Sequence, residues 1–519
     1  MAAPPTVGRV RLAELVAMIS LGTDLGMGQP MEHVMRQTLL ALRLAERLGL
    51  DEATRAVVYY AGLLGWVGGH VDAYEQAKWF GDDQALKADY RRVDMTGAAA
   101  RAFVVRHVGA GRGLGERARL GVRFAAEGRH VAATMIETHW VATNELAAAL
   151  GLGAAVREAV YQTFERWDGK GVPAEAAGEQ IVLPARLVTL ADVVEIYHRD
   201  GGVEAAVAVA RERRGTQFDP GLVDVFCAEA PALFEDIDSA TTWHAVIAAE
   251  PALEIVLSDA ELESALEAIA DFTDLKSPWT IGHSRGVADL AYAAATPYGL
   301  PAGEATLVRR AGLVHDLGRL GVSNAIWDKP GALTPTERER VRLHPYLTER
   351  MLASSGALAP LGAIAVQHHE RLDGSGYPRG LSGDALTPSG RLLAAADAYR
   401  AMTEPRPHRA ALSSDEAAAE LRSGVRASLF DGDAADAVLR AAGHATRRRR
   451  EWPAGLTSRE VEVLKLLVRG LSNKEIAEQL VISRKTAGSH VEHIYAKIGV
   501  SNRARASLFA MKHGLTAAD

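Results

Sequence analysis

The sequence predicts an all-α protein. Ala-rich segments with apolar residues at i, i+3, i+4 and i+7, the spacing of one helix face, run through most of the 519 residues. Alternating apolar and polar runs, which are typical of half-buried strands, are hard to find. Helix starts are marked by caps such as Thr334, with Pro335 in the first turn and Glu337 completing a capping box. At roughly 150 residues per domain, a chain of this length predicts three or four units.

The composition is that of a globular protein without a membrane segment. Apolar residues make up 48% and charged residues 24%, and no apolar stretch approaches the ~18 residues that span a bilayer. The N-terminal segment lacks the basic, apolar and small-residue pattern of an export signal. A single cysteine, Cys227, excludes an intramolecular disulfide and a cysteine-rich metal site. We therefore expect a cytoplasmic protein that does not contact membranes.

Positive charge is concentrated at the C-terminal end. Residues 446–519 contain 14 Lys+Arg and 7 Asp+Glu, a net charge of +7. Because the whole chain has a net charge of −7, the remaining residues carry −14. This asymmetry predicts a polyanionic partner for the end alone. The segment "ATRRRREWPAG" (445–455) breaks the helical periodicity, and we interpret it as a basic linker that is either solvated or in contact with phosphates.

The two halves preceding this end are related to each other. The motif "HERLDGSGYP" (369–378) is echoed by "FERWDGKGVP" (164–173), and in both cases an aspartate follows the glutamate after 27 residues. Such shared spacing indicates a tandem duplication, in which the first copy carries an insertion of roughly 45 residues. The extended register pairs His33 with His283, Gly65 with His315, His139 with His344, and Asp192 with Asp397.

Polar residues interrupt the apolar helices of the second copy. Histidine and carboxylate together suit borderline divalent metals such as iron, manganese or zinc. In "LVHDLGRLGV" (313–322), the adjacent pair offers a nitrogen and a carboxylate that is able to bridge two ions, so that a metal would satisfy both buried groups. The candidate ligands are His283, His315, Asp316, His344, His368, His369 and Asp397.

These motifs occur in the order typical of one enzyme family. They resemble, over about residues 260 to 445, the HD-GYP subgroup of the HD-superfamily phosphohydrolases. The resemblance implies a helical domain with two divalent metal ions, usually iron or manganese, that hydrolyses the bacterial second messenger cyclic di-GMP to pGpG or GMP. The matching motifs are "GHS" (282–284), "HDLGR" (315–319), "HP" (344–345), "HHERLDGSGYP" (368–378) and "AAADAY" (394–399).

The resemblance also implies a role for each ligand position. Asp316 would bridge the two ions and serve as a catalytic residue. The first ion would be held by His283, His315, Asp316 and Asp397, and the second by His344, His368 and His369. Trp279 stands where family members with three metals place a glutamate, so we expect two ions.

Several further residues are candidates for substrate binding. Arg319 stands where the family usually has a lysine that contacts phosphate, and we assign it to catalysis and substrate binding. Tyr377, in a loop that is alternatively a purely structural turn, would present its ring or hydroxyl to a guanine or to a partner protein. Arg406 and Arg409, in "EPRPHR" (404–409), are either phosphate ligands or ordinary surface arginines.

The first copy has lost most of these ligands. It keeps His33, His139 and Asp192, and we expect the remaining histidines to bind no metal. We interpret residues 1–250 as a degenerate HD-GYP-like regulatory domain retained for packing, dimerisation or ligand sensing. The replaced ligand positions are Gly65, Trp66, Thr163 and Phe164.

The basic end resembles a second family. Its segments "LTSREVEVL", "GLSNKEIAEQL" and "KIGVSNRARA" are similar to the LuxR-type helix-turn-helix, which implies four helices and binding of DNA. The third helix, about 484–498, would enter the major groove. We assign groove contacts to Lys485, Thr486, Ser489 and His490, and phosphate contacts to Lys474, Arg484, Lys497 and Arg503.

The fourth helix of this end, about 502–513, has an apolar face that predicts a homodimer, since a two-fold operator needs a two-fold protein. The face comprises Ala506, Leu508, Phe509 and Ala510, and the helix is expected to start from an N-cap at Ser501.

These observations predict four segments and one leading function. The segments are a degenerate domain (1–250), a metal-dependent phosphohydrolase (258–444), a basic linker (445–455) and a DNA-binding domain (456–519). The leading hypothesis is a transcriptional regulator fused to a phosphodiesterase for cyclic di-GMP. Two alternatives stay open: a transcription factor whose metal domain only binds a nucleotide, and a hydrolase for another phosphorylated substrate.

Overall fold

The computed structural model describes residues 9–173, 176–237, 242–251, 255–444, 452–513 and 515. Within these ranges all regular secondary structure is helical, and extended segments meet only in isolated bridges such as Arg11 with Val256. The all-α prediction is therefore confirmed. The chain divides into two compact units, Met1–His444 and Ala445–Asp519. The arginine run of the predicted linker, 447–450, lies outside the described residues.

The first copy begins with three consecutive helices and ends on a long helix that is kinked at Gly201 and Gly202. Its helices are α1 (Leu12–Gly26), α2 (His33–Arg47), α3 (Glu52–Leu64), α4 (Ala73–Phe80), α5 (Asp83–Tyr90), α6 (Gly97–His107), α7 (Leu114–Ala149), α8 (Ala154–Tyr161), α9 (Leu183–Glu212), α10 (Pro220–Leu233) and α11 (Thr242–Ala248), with 3-10 turns at Val67–His70, Gln162–Phe164 and Gly178–Gln180.

The second copy repeats this order without the long insertion. Its helices are α12 (Asp259–Asp274), α13 (His283–Tyr298), α14 (Ala302–Val314), α15 (Asn324–Trp327), α16 (Pro335–Arg342), α17 (His344–Leu352), α18 (Ala359–Ala365), α19 (Pro388–Met402), α20 (Ser414–Arg426) and α21 (Gly432–Ala441), with 3-10 turns at Leu317–Gly321 and Gly383–Ala385.

A matching hydrogen bond links the first two helices of each copy. Asp24 Oδ1 accepts from the backbone nitrogen of Val34 at 3.0 Å, and Asp274 Oδ2 accepts from that of Ser284 at 2.8 Å. Both aspartates are buried at the end of one helix, and both bonds satisfy the first turn of the next. This shared buried contact supports the duplication inferred from spacing.

The insertion of the first copy forms helices of its own. Helices α4, α5 and α6 and the first part of α7 lie between the 3-10 turn at Val67–His70 and His139. Their buried apolar side chains form a separate small cluster: Trp79, Phe80, Leu86, Phe103 and Val108.

The two copies share one hydrophobic core, which runs from α1 to residues of α17 and α18. Polar contacts reinforce the packing: Asp83 Oδ1 accepts from Ser323 Oγ at 2.6 Å, and Ser355 Oγ donates to Glu14 at 2.8 Å. A second core lies between α13, α19, α20 and α21. The two copies are thus parts of one compact unit.

The C-terminal unit contains the four predicted helices. Thr457 and Ser472 cap the first two through capping boxes with Glu460 and Glu475. The cap of the fourth helix is Asn502, whose side chain accepts from Arg505, so the prediction of Ser501 was wrong by one residue. The helices are α22 (Ser458–Val468), α23 (Asn473–Leu480), α24 (Arg484–Ile498) and α25 (Arg503–Lys512).

Among all described helices, none combines the length and the apolar composition that crossing a bilayer requires.

Candidate metal centre and nucleic-acid interface

The seven predicted ligands converge on one buried site, although they come from distant parts of the second copy. Each approaches from the end of a helix, from the turn after it, or from the long helix α19. Their ligand atoms form three overlapping groups, within which the atoms lie no more than 4.8 Å apart. These groups are His283, His315 and Asp397; His344, His368 and His369; and His315, Asp316 and His368.

Asp316 lies between the two histidine groups. Its Oδ1 is 3.3 Å from His344 Nε2 and 3.8 Å from His368 Nε2. Its Oδ2 is 3.8 Å from His283 Nε2 and 3.7 Å from His315 Nε2. One carboxylate oxygen therefore faces each group, which is the arrangement a bridging ligand needs.

Backbone carbonyls fix the orientation of three imidazoles. The Nδ1–H of His315, His344 and His368 donates to a carbonyl three residues earlier, at 2.7, 2.6 and 2.6 Å. This bond places the proton on Nδ1 and leaves Nε2 as the atom that faces the site. His344 Nε2 and His368 Nε2 are 3.1 Å apart, so two lone pairs point at each other. A shared cation would remove that repulsion.

The protonation states also suit a metal. Burial lowers the pKa of His344 to about 4 and that of His368 to about 3, so both are neutral at pH 7. Burial opposes ionisation of Asp316, but Arg319 and the surrounding imidazoles outweigh it and hold its pKa well below the usual value. Neutral imidazoles and ionised carboxylates are the forms that bind metals. The buried donor set fits divalent cations.

His283 is tied to a residue that the sequence analysis missed. Its Nδ1–H donates to Glu404 at 2.8 Å, while Nε2 lies 3.3 Å from Asp397 Oδ1. Burial lowers the pKa of His283, but these carboxylates outweigh it and raise the pKa to about 9. A metal at this position competes with a proton. Glu404 heads the segment "EPRPHR", and a carboxylate beside two arginines was the only local signal for it.

Gly318 allows the turn after Asp316 to approach α17. A Cβ at this position would lie 2.0 Å from the carbonyl oxygen of His344 and 2.8 Å from the nitrogen of Thr348. Thr348 Oγ1 accepts from the nitrogen of Gly318 at 2.8 Å and donates to the carbonyl of His315 at 3.0 Å. Glycine is thus required to seat the "HDLGR" turn against the helix that supplies His344.

Arg319 contacts the bridging aspartate. Its Nη1 donates to Asp316 Oδ2 at 2.8 Å, and its guanidinium lies 4.1 Å from the ring centre of Trp327. Trp327 in turn packs edge-on against His344, with ring centres 5.3 Å apart. Trp327 was not predicted, because nothing in its neighbourhood in the sequence marks it.

Tyr377 lies beside the second histidine group. Its ring centre is 4.8 Å from that of His369, and the guanidinium of Arg342 lies 5.2 Å from the tyrosine ring centre. Glu370 holds the loop by accepting from the nitrogens of Arg379 and Leu381 at 2.8 and 2.9 Å.

The two arginines of the 404–409 segment differ in their contacts. Arg406 donates to the carbonyl of Trp279 and to Glu404, and its Nη2 is 3.5 Å from His283 Nδ1, so it lies at the edge of the site. Arg409 donates only to backbone carbonyls within residues 401–410. These bonds hold its own loop together, and its assignment to substrate stays a prediction.

In the corresponding region of the first copy, the remaining polar side chains pair with one another. The imidazole of His33 donates to Asp192 Oδ1 at 3.0 Å and to Glu195. Burial lowers the pKa of His33, but these carboxylates outweigh it and raise the pKa to about 9. The guanidinium of Arg91, from the insertion, lies 4.2 Å from the ring centre of Trp66. All metal-type clusters found among the described residues lie in the second copy.

Helix α24 presents part of the predicted DNA surface. Arg484, Lys485 and Ser489 are exposed on it, whereas Thr486 and His490 are half-buried. The Thr486 hydroxyl is 2.7 Å from that of Ser483.

Three predicted phosphate contacts already have partners within the protein. Lys474 Nζ lies 3.8 Å from Glu478, Lys497 Nζ donates to Glu460 at 2.7 Å, and Arg503 donates to the carbonyls of residues 470 and 471 at 2.9 and 2.6 Å. Lys497 thus joins α24 to α22, and Arg503 joins α25 to the turn that follows α22.

The predicted dimer face of α25 is partly used inside the domain. Ala506 and Ala510 are fully buried in its own core, so they are not available to a partner, and the half-buried Phe509 packs against that core. Among the described residues of this helix, the large apolar side chains of Leu508 and Met511 are exposed, at 65% each.

Comparison with known proteins agrees with this architecture. The HD-domain family model matches residues 129–222 and 267–434, which include parts of both copies. The chain belongs to the HD-domain family. The model of the LuxR family of bacterial regulatory proteins matches residues 454–510. This HD-domain protein therefore carries a LuxR-type domain at its C-terminal end.

Its relatives include phosphodiesterases for cyclic dinucleotides. The HD-domain protein is 31% identical over 422 residues to 3′3′-cGAMP-specific phosphodiesterase 3 of Vibrio cholerae, covering 80% of this chain and 92% of the relative. It is 38% identical over 144 residues to a cyclic di-GMP phosphodiesterase response regulator of Xanthomonas campestris, covering 27% and 38%. A crystal structure of a cyclic GMP-AMP-specific phosphodiesterase of V. cholerae matches with a TM-score of 0.59 and 28% identity, covering 85% and 99%.

Proposed function

We propose that residues 258–444 form a dinuclear phosphodiesterase that opens a cyclic dinucleotide. The observation that carries this proposal is the position of Asp316, whose two oxygens face two separate groups of histidines at 3.3 to 3.8 Å. Six further ligands surround this carboxylate, five of them buried and His369 half-buried, and the set is suited to two divalent ions. Iron or manganese fits the mixture of imidazole and carboxylate ligands.

The chain's own residues position the substrate phosphate and supply positive charge that complements it. When bound, the two ions make water nucleophilic at neutral pH and neutralise charge on the phosphoryl oxygens. Arg319, 2.8 Å from Asp316, orients that carboxylate and offers its remaining N–H groups to the phosphate. Water adds to phosphorus, the bond from phosphorus to the 3′ oxygen breaks, and that oxygen takes up a proton. The product is a linear dinucleotide with a 5′ phosphate.

Two cyclic dinucleotides are candidate substrates. The resemblance of the ligand motifs favours cyclic di-GMP. The V. cholerae relative that matches 80% of this chain, including the degenerate copy, is named for 3′3′-cGAMP. That match across both copies favours 3′3′-cGAMP as the second candidate. The Tyr377 ring beside His369 is placed to contact a base of either molecule.

The test is hydrolysis by the purified full chain loaded with iron or manganese. Each cyclic dinucleotide is incubated separately, and linear products are separated by anion-exchange chromatography. We expect a linear product from at least one of them, and no product from Asp316→Ala. Arg214→Ala, which removes an arginine paired with Asp224 in the first copy, serves as the matched control.

The outcomes separate the hypotheses. Tight binding of a cyclic dinucleotide without product would support a regulator that only binds its nucleotide. Absence of both binding and product would leave a hydrolase for another phosphorylated substrate. Product formation that survives Asp316→Ala would contradict the assignment of the site.

We further propose that the C-terminal unit binds DNA through α24 and forms a homodimer through the exposed residues Leu508 and Met511 of α25. The exposed Arg484 and Lys485 at the start of α24 supply positive charge where a recognition helix meets DNA. Retention of promoter DNA by a Leu508→Asp variant with unchanged stoichiometry would contradict the dimer.

We also propose that residues 1–250 act as a regulatory partner of the catalytic copy.

A further inference from the structure

The first copy contains a cavity at the position that the metal centre occupies in the second copy. It has a volume of about 100 Å³, enough for several water molecules. Trp66 and Phe164, which replace Asp316 and His369 in the aligned register, contribute to its wall. We call it the first-copy cavity.

Positive charge dominates the wall of this cavity. Four cationic side chains line it, against two carboxylates. One of these carboxylates, Asp192, is shared with the imidazole of His33, which lies 3.0 Å away. The cations are Arg91, Arg166, Lys170 and Arg213, and the carboxylates are Glu165 and Asp192.

Arg91 is the most unusual of these residues. It is 4% exposed, yet none of its three guanidinium nitrogens makes a hydrogen bond to the described protein. The nearest carboxylate atom, Asp192 Oδ2, is 3.4 Å from Nε in a poor direction. Burying a guanidinium without hydrogen bonds is costly, so a ligand that accepts them is strongly favoured.

Arg213 adds a second buried cation. It is 4% exposed, and it donates to neutral oxygens of Gln217, Arg92 and Tyr197 at 3.0, 3.2 and 3.3 Å. Its Nε makes no hydrogen bond to the described protein. Arg166 differs, because Asp94 and Asp168 pair with it at 2.9 and 3.1 Å.

We propose that the first-copy cavity binds the phosphate group of a small phosphorylated ligand. Guanidinium groups match phosphate oxygens in pairs, and the cavity wall holds two buried guanidinium groups with unused N–H donors, those of Arg91 and Arg213. The site depends on Arg91, which belongs to the insertion that the second copy lacks.

The test uses isothermal titration of the full, metal-loaded chain with inorganic phosphate and, separately, with 5′-GMP. We expect a binding event that Arg91→Met weakens about tenfold or more, since hydrogen bonds to a charged group are lost. Arg91→Lys keeps the charge and should weaken it less. Arg199→Met is the matched control, because Arg199 pairs with Glu195 at 3.1 Å in the same copy but does not line the cavity.

The same titration of Arg319→Met separates this event from binding at the catalytic site. This substitution should weaken binding at the catalytic site and leave the Arg91-dependent event intact. Thermal unfolding without ligand checks that each variant is folded. If Arg91→Met does not fold, Arg213→Met takes its place in the titration. Stronger binding of 5′-GMP than of phosphate identifies a nucleotide as the source of the phosphate. Equal affinities of wild type, Arg91→Met and Arg213→Met, or no binding of either probe, would overturn the proposal.

Discussion

The duplication allows Gly318 to be tested against a natural control. In Gly318→Ala, the new Cβ would lie 2.0 Å from the carbonyl oxygen of His344, whereas real contacts of this kind stay beyond 3.0 Å. The start of α17 must therefore move by about 1 Å, and the His344 imidazole moves with it. Metal ligands tolerate displacements of about 0.2 Å, and a 1 Å misplacement costs about 100-fold in rate.

Gly68 is the equivalent residue of the first copy. A Cβ there would lie 2.4 Å from the carbonyl oxygen of His139, so Gly68→Ala is overpacked in the same way but away from the predicted ligands. Each substitution should destabilise the fold by about 1 to 3 kcal/mol. Only Gly318→Ala should also lower metal content and reduce hydrolysis about 100-fold.

The assay combines denaturant unfolding, elemental analysis and turnover of the cyclic dinucleotide that the wild type hydrolyses. Gly303→Ala adds a neutral control, since a Cβ there meets nothing within 4 Å. Full metal content and full activity in Gly318→Ala would refute the link between this turn and the site. Equal loss of metal in Gly68→Ala would show that the effect is global.

Three further predictions concern other parts of the chain. Arg319→Met should lower kcat about tenfold or more with metal content unchanged, and Arg319→Lys should restore part of it; equal kcat in all three proteins would contradict the phosphate role. Because the folded-state pKa of His33 is about 9, against 6.5 for the free group, its stabilisation is present below pH 6.5 and is lost as pH rises through 9. In urea unfolding, the free energy of unfolding of wild type should therefore fall by roughly 3 kcal/mol relative to that of His33→Gln between pH 6 and pH 10. A difference between the two proteins that does not change with pH would contradict the ion pairs. Lys485→Ala should reduce the salt slope of DNA binding by about 0.9, and an unchanged slope and affinity would exclude Lys485 from the interface.

Local patterns were sufficient to predict the helices and their caps. The box of Thr334 with Glu337 and the third helix of the C-terminal unit lie where the sequence placed them, because these features depend on residues three or four positions apart. The cap of α25 is Asn502 and not Ser501. The sequence could not distinguish them, because both residue types are good caps and only the geometry of the turn before the helix decides between them.

Features that depend on distant packing were not predictable in this way. Glu404 hydrogen-bonds to His283 across 121 positions of the sequence, and no periodicity reports such a contact. Arg91 packs on Trp66 only because the insertion folds back over the first copy. Likewise, the apolar face of α25 could be read from the sequence, but which of its residues the domain buries for itself could not.

Metal content of the folded full chain tests the central claim most directly. Elemental analysis of protein purified with iron or manganese should give two ions per wild-type chain, and Asp316→Ala should lose most of both, since that carboxylate faces both histidine groups. His33→Gln in the first copy should keep the wild-type content. A wild-type chain that retains no transition metal, or an Asp316→Ala chain that retains two ions, would contradict the account.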